Sequence, residues 1–167
     1  MESGLRLIRA AVLTVSDRSA RGERPDAGGP AVAEAAARLG WRVVSKAVVA
    51  DDRSVIAGQL KAWCDGPEAP GLVLTTGGTG LGPRDVTPEA TREVLEREAP
   101  GFSERMRREG ERSTPLAALS RGVCGTRGST LIVNLPGSPR GAVESLESVS
   151  GLIGHALAVM GGEDHRP

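Results

Sequence analysis

Tyrosine is absent from this chain, and phenylalanine and tryptophan supply only Phe102, Trp41 and Trp63. Single-stranded nucleic acids are gripped largely by stacking bases on aromatic rings, so an aromatic content of 2% argues against such a platform. Net charge is missing as well, because 21 Lys and Arg balance 21 Asp and Glu. With no overall basic field to draw in a nucleic acid or an anionic membrane, any anion has to be held locally. Cysteine is limited to Cys64 and Cys124, far apart and without metal-ligand spacing, which reads as two small buried side chains in a reducing compartment. No apolar run reaches the roughly 18 residues that a membrane helix needs. The segment through Ala11 carries Arg6 and Arg9 but no apolar stretch ahead of a small-residue cleavage site, so the expected setting is the cytoplasm. Histidine is scarce: His155 and His165 fall in a closing helix and the tail. No serine sits in a nucleophile elbow, and side-chain nucleophilic catalysis therefore has little support.

What is present suits one domain over residues 1–167, since 39% hydrophobic content can bury a single core without disulfides or a structural metal. The 23 Gly and 11 Pro gather between periodic segments, where turns need positive φ or close approach. Ala10 to Val15, Trp41 to Val49, Gly71 to Thr75 and Thr130 to Leu135 read as strands. Helical spacing runs from Pro30 to Leu39, from Ser54 to Trp63, from Pro88 to Leu95, over residues 101–111, and from Val143 to Leu157 after a turn at Gly137 to Arg140. Thr114 to Leu119 suits a short helix, and residues 123–128 stay ambiguous. Such alternation predicts an α/β fold, a three-layer αβα sandwich with a mostly parallel sheet.

Ligands of such sheets bind at the carboxyl ends of the strands. That rule brings together Ser16-Asp17, Asp51-Asp52, the Thr76 to Asp85 loop, and Asn134, Pro136 and Gly137. In Thr76-Gly77-Gly78-Thr79-Gly80, bare amides and two hydroxyls can surround a phosphate. The lysine of a Walker loop is missing and the glycine spacing fails the dinucleotide fingerprint, so a P-loop ATPase and a Rossmann dehydrogenase are unsupported. A carboxylate at Asp85 beside phosphates calls for a cation between them, and Mg²⁺ with Asp51 and Asp85 is a plausible set. The alternative is helix capping, by Asp85 ahead of Pro88 with Thr87 nearer, or by Asp51 ahead of Ser54. Arg121 and Arg140 are candidate clamps on an anion, or simply solvated. A nucleophile that is itself a phosphate, with a second pKa of about 6, needs no protein base. It needs positioning and charge neutralisation.

Several motifs together resemble the molybdopterin adenylyltransferase family, of MogA and MoaB type. They are Leu13-Thr14-Val15-Ser16-Asp17, Thr76 to Gly80, Arg84-Asp85-Val86-Thr87-Pro88-Glu89-Ala90-Thr91, Pro100-Gly101-Phe102, Leu119-Ser120-Arg121 and Asn134-Leu135-Pro136-Gly137. The resemblance implies the molybdopterin-binding fold and transfer of AMP from ATP to molybdopterin with Mg²⁺, releasing pyrophosphate. It also implies a homotrimer, in some members a dimer of trimers, and hand-over to a molybdate-inserting protein. By the matching motifs, Asp51 and Asp85 become the acidic pair for metal and catalysis. Thr76, Gly77, Gly78, Thr79 and Gly80 contact nucleotide phosphates, while Ser16, Asp17, Ser120, Asn134, Pro136 and Gly137 line the same pocket. MoaB-type relatives can lack the Arg84 to Pro88 sequence, which this chain retains; binding of molybdopterin without turnover is the alternative activity. Apolar side chains such as Phe102, Met106 and Leu116 are candidates for an interface between copies.

Overall fold

The computed structural model describes residues 7–162; Arg6 and His165 lie outside the described residues. Four strands, β1 (Arg9–Val15), β2 (Arg42–Val49), β3 (Leu72–Thr76) and β6 (Thr130–Leu135), pair in parallel in the order β2-β1-β3-β6. Two short strands, β4 (Arg97–Glu98) and β5 (Cys124–Arg127), extend the β6 edge, with β5 antiparallel to β6 and β4 antiparallel to β5. The ambiguous stretch is thus the first arm of a hairpin, turned at Gly128 with φ of 54°.

Period-two alternation sorts the strand side chains onto two faces. Ala10, Val12, Leu72, Leu74, Leu131 and Val133 pack with helices α2 (Gly28–Arg38), α5 (Pro100–Gly110) and α6 (Pro139–Met160). Ala11, Leu13, Val15, Val73 and Ile132 pack with α3 (Arg53–Cys64) and α4 (Thr87–Val94) on the other face. Both faces of β3 are buried throughout, which explains why Leu72, Val73 and Leu74 run together without polar alternation. The expected three-layer sandwich is therefore observed.

Local differences have local reasons. A short helix α1 (Asp17–Ala20) occupies what reads in the sequence as loop, because the Ser16 hydroxyl accepts from the Ser19 amide and caps it. Helix α6 begins at Pro139, inside the expected turn, with Ser138 Oγ capping the Gly141 amide at 3.0 Å. The segment expected as a short helix at Thr114 to Leu119 is a 3₁₀ turn over Pro115–Leu119. Of the three apolar residues offered for an interface, Met106 belongs to the core and Phe102 packs against it; Leu116 alone stays exposed, at 68%. Among the described residues no helix is long and apolar enough to cross a membrane.

Candidate functional site

The carboxyl ends of β1, β2, β3 and β6 face two adjoining cavities. The first, about 460 Å³, lies between the glycine loop, α5 and the 3₁₀ turn, and includes Gly78, Thr79, Gly80, Ser120, Asn134 and Pro136 in its walls. The second, about 700 Å³, lies between the glycine loop and the starts of α1 and α2, and includes Ser16, Asp26, Asp51, Thr76, Gly77 and Gly78. Gly78, Asp85, Gly137 and Ser138 belong to both. The glycine loop is therefore a partition with a cavity on each side.

Its backbone demands glycine at two positions. Gly77 and Gly78 have φ of 102° and 67°, in the left-handed half of conformational space. A Cβ at Gly77 would overlap the Val15 carbonyl, and one at Gly78 would overlap the Thr87 hydroxyl and lie 3.1 Å from Asp51 Oδ1. Thr87 Oγ donates to the Gly77 carbonyl at 2.9 Å, and Thr76 Oγ donates to the Pro136 carbonyl at 2.8 Å. These two threonines tie the partition to α4 and to the end of β6.

The acidic residues separate into distinct roles. Asp52, not Asp51, caps α3, with Oδ1 accepting from the Ser54 and Val55 amides at 2.9 and 3.0 Å. That removes the capping alternative for Asp51. Asp51 instead makes a reciprocal pair with Asp17: the Asp17 amide donates to Asp51 Oδ2 at 2.8 Å and the Asp51 amide to Asp17 Oδ1 at 2.9 Å. Burial pushes the Asp51 carboxyl above its ordinary value, and the nearby Asp17 and Asp85 charges add to the shift. Asp17 moves the other way, lowered chiefly by its hydrogen bonds from Arg84, whose Nε and Nη2 reach its carboxylate at 3.0 and 3.1 Å. Asp17 lines neither cavity; it braces Asp51 from behind. Asp85 does not cap α4 either, since Oδ2 accepts from the Gly82 amide at 2.8 Å within its own loop.

Other expected site residues fall into place differently. Ser120 and Pro136 reach the first cavity. Asn134 is 1% exposed, and its amide is occupied by Thr75, Thr91 and the Val123 amide, so it braces the cavity wall. The two arginines read as anion clamps or simply solvated both turn to protein partners. Arg140 pairs with Glu144 one turn along α6 and lines neither cavity. Arg121 is turned onto protein carbonyls and Glu89. Asp26 was not expected: it accepts from Thr14 Oγ at 2.8 Å and from the Gly29 amide at 2.9 Å, lining the second cavity at the start of α2. An Asp just before a helix start was the available signal. Arg107, in the wall of the first cavity, carried no signal beyond its charge.

An α/β domain whose glycine loop divides two cavities at the carboxyl ends of parallel strands is the class that these features define. Residues 11–155 match the family described as probable molybdopterin binding domain, and the chain belongs to that family. A molybdopterin adenylyltransferase of Helicobacter pylori J99 is 41% identical over 147 residues, covering 87% of this chain and 83% of that protein. The molybdenum cofactor synthesis protein cinnamon of Drosophila melanogaster is 41% identical over 152 residues; the match covers 90% of this chain but 25% of that longer protein. Among solved structures, the molybdopterin biosynthesis enzyme MoaB of Thermus thermophilus is 51% identical with a TM-score of 0.88, covering 96% of this chain and all of that one.

Proposed function

We propose that this chain, as a single domain, transfers the adenylyl group of ATP to the phosphate of molybdopterin, giving adenylyl-molybdopterin and pyrophosphate. The observation that carries the reading is the shared wall: two cavities of substrate size meet at Gly78, Asp85, Gly137 and Ser138. Two polyanions seated on either side of that partition would meet there. Relatives named for this activity, about 40% identical over most of the chain, support it.

The residues fit Mg²⁺. Among the described residues no cluster of three or more His, Cys, Asp or Glu is arranged to hold a metal, so phosphate and water oxygens would complete the shell around Asp51 and Asp85. Oδ2 of Asp51 is engaged by the Asp17 amide, and among the described residues Oδ1 takes no protein hydrogen bond and borders Gly78. When bound, the ion would neutralise phosphate charge as the anions approach. The protein's own part is positioning. Glycine-loop amides and the capped start of α6 would orient phosphates, Asp17 and Arg84 hold Asp51 in place, and no side-chain base is required because the attacking phosphate is already ionised.

The trimer, and a dimer of trimers, rest on the family resemblance, with Leu116 as the exposed apolar contributor. We place the reaction in the cytoplasm, in keeping with two buried free cysteines, and the product with a molybdate-inserting partner. A second reading, pterin binding without turnover, rests on the sequence resemblance to MoaB-type relatives, some of which can lack the Arg84 to Pro88 sequence that this chain retains. Incubating the purified chain with Mg-ATP and molybdopterin separates the two: adenylyl-molybdopterin is expected, and saturable pterin binding without product would select the second.

A further inference from the structure

Arg121 reads in the sequence as an anion clamp or a solvated side chain, yet this side chain, 31% exposed, spends all three guanidinium nitrogens on protein acceptors. Nε donates to the Gly80 carbonyl at 2.7 Å, Nη2 to the Asp85 carbonyl at 2.8 Å, and Nη1 to the Glu89 carboxylate. Its own amide donates to the Thr79 carbonyl at 2.8 Å. One residue therefore grips both ends of segment 80–85, the stretch that carries Arg84 and Asp85.

That segment has little else to fix it. Residues 81–84 are exposed and outside any helix or strand, and the Gly82 and Asp85 bonds are internal to it. Among the described residues, the hydrogen bonds that tie residues 81–84 to the rest of the fold reduce to those of the exposed Arg84 with the largely covered Asp17. A trans peptide directs its C=O and N–H to opposite sides, so holding the Thr79 and Gly80 carbonyls turns the amides of Gly80 and Leu81 away from Arg121. Gly80 lines the first cavity.

Glu89 fits the same scheme. It stands in the first turn of α4, its carboxyl is held below the usual range chiefly by the Arg121 hydrogen bond, and its Oε2 is buried with no hydrogen-bond partner among the described residues. A carboxylate so placed serves the guanidinium's orientation, since a planar fork meets three acceptors only in one pose.

We propose that Arg121, oriented by Glu89, is a positioning residue that sets the 79–85 loop and with it the Asp85 carboxylate, acting through the backbone without touching substrate. What the ordered loop does rests on the adenylyl-transfer reading; that the pair orders it does not.

The test uses Arg121→Lys, Arg121→Gln and Glu89→Gln in the full chain. Amide hydrogen exchange over residues 80–87, without ligand, should rise by about tenfold in both Arg121 variants and less in Glu89→Gln, with β1, β3 and β6 protected as before. Single-turnover adenylylation should fall by up to about a hundredfold, with Lys no better than Gln because it keeps the charge and loses the fork. Near-normal turnover in Arg121→Lys beside a poor Arg121→Gln would assign Arg121 to substrate and overturn the proposal. Unchanged loop exchange in Arg121→Lys and Glu89→Gln would overturn it too. Should Arg121→Gln fail to fold, the milder Glu89→Gln carries the same readout. An unmodified chain with no turnover would remove the adenylyl-transfer reading while the exchange result still decides the loop.

Discussion

Replacing Gly78 by alanine should damage both folding and nucleotide binding, and the size of the folding effect follows from two terms. Gly78 has φ of 67°, where a Cβ costs about 1–2 kcal/mol. The added methyl also displaces the Thr87 hydroxyl from the Gly77 carbonyl, and a buried donor left unpaired costs about 1–3 kcal/mol. Together these give roughly 2–5 kcal/mol, a fall in melting temperature of about 4–20 °C for a domain of this size. Gly58→Ala is the control: it lies in α3, with nothing within 4 Å of a new Cβ and no positive φ. There the substitution should stabilise by about 0.5–1 kcal/mol. Calorimetric melting, with ATP titration of each folded variant, reads both effects. A Gly78→Ala protein that melts and binds ATP like the parent would refute the partition described for the loop.

Three further outcomes follow from particular contacts. Asp52→Ala should lower the melting temperature by about 2–4 °C through loss of a cap worth about 1 kcal/mol, with ATP affinity unchanged; lost affinity would mean that the roles of Asp51 and Asp52 are reversed. Asp65 sits below its ordinary 3.8 because Arg127 donates to both its oxygens at 2.8 Å. Its contribution is present above pH 3.8 and fades as pH falls through the depressed value, so the loss of melting temperature in Asp65→Asn should be full at pH 7 and shrink steadily as pH is lowered below 3.8; a loss that does not change with pH would exclude the ion pair as the cause. Burial raises both thiols, Cys124 to about 11, so alkylation at pH 8 should track global unfolding, and rapid labelling of the native chain would contradict their burial.

The parallel strands and flanking helices were legible because their apolar periods are long and regular: Leu72 to Thr76 is buried residue by residue, and the α6 stripe persists through Gly151 and Gly154. The two edge strands were not, since two residues at Arg97 and Glu98, and four that include Gly125, carry too little pattern to show a period. Convergence of four loops followed from topology alone. The division of labour among acids did not. Asp51 and Asp52 are adjacent, and only backbone direction decides which one turns back to cap α3 and which turns to Asp17. The direction of Arg121 was not legible for a similar reason, because the partners of its guanidinium lie 32 to 41 residues away and charge alone does not say which way a guanidinium faces.

The most direct test of the central claim is single-turnover adenylylation of molybdopterin by Asp85→Asn beside the unmodified chain. Asparagine can still accept from the Gly82 amide, so the loop keeps its shape while losing the charge that would serve the cation. Turnover should drop by roughly a hundredfold to a thousandfold, with pterin binding, followed by fluorescence, and melting temperature little changed. Turnover in Asp85→Asn within a few-fold of the unmodified chain would contradict the account.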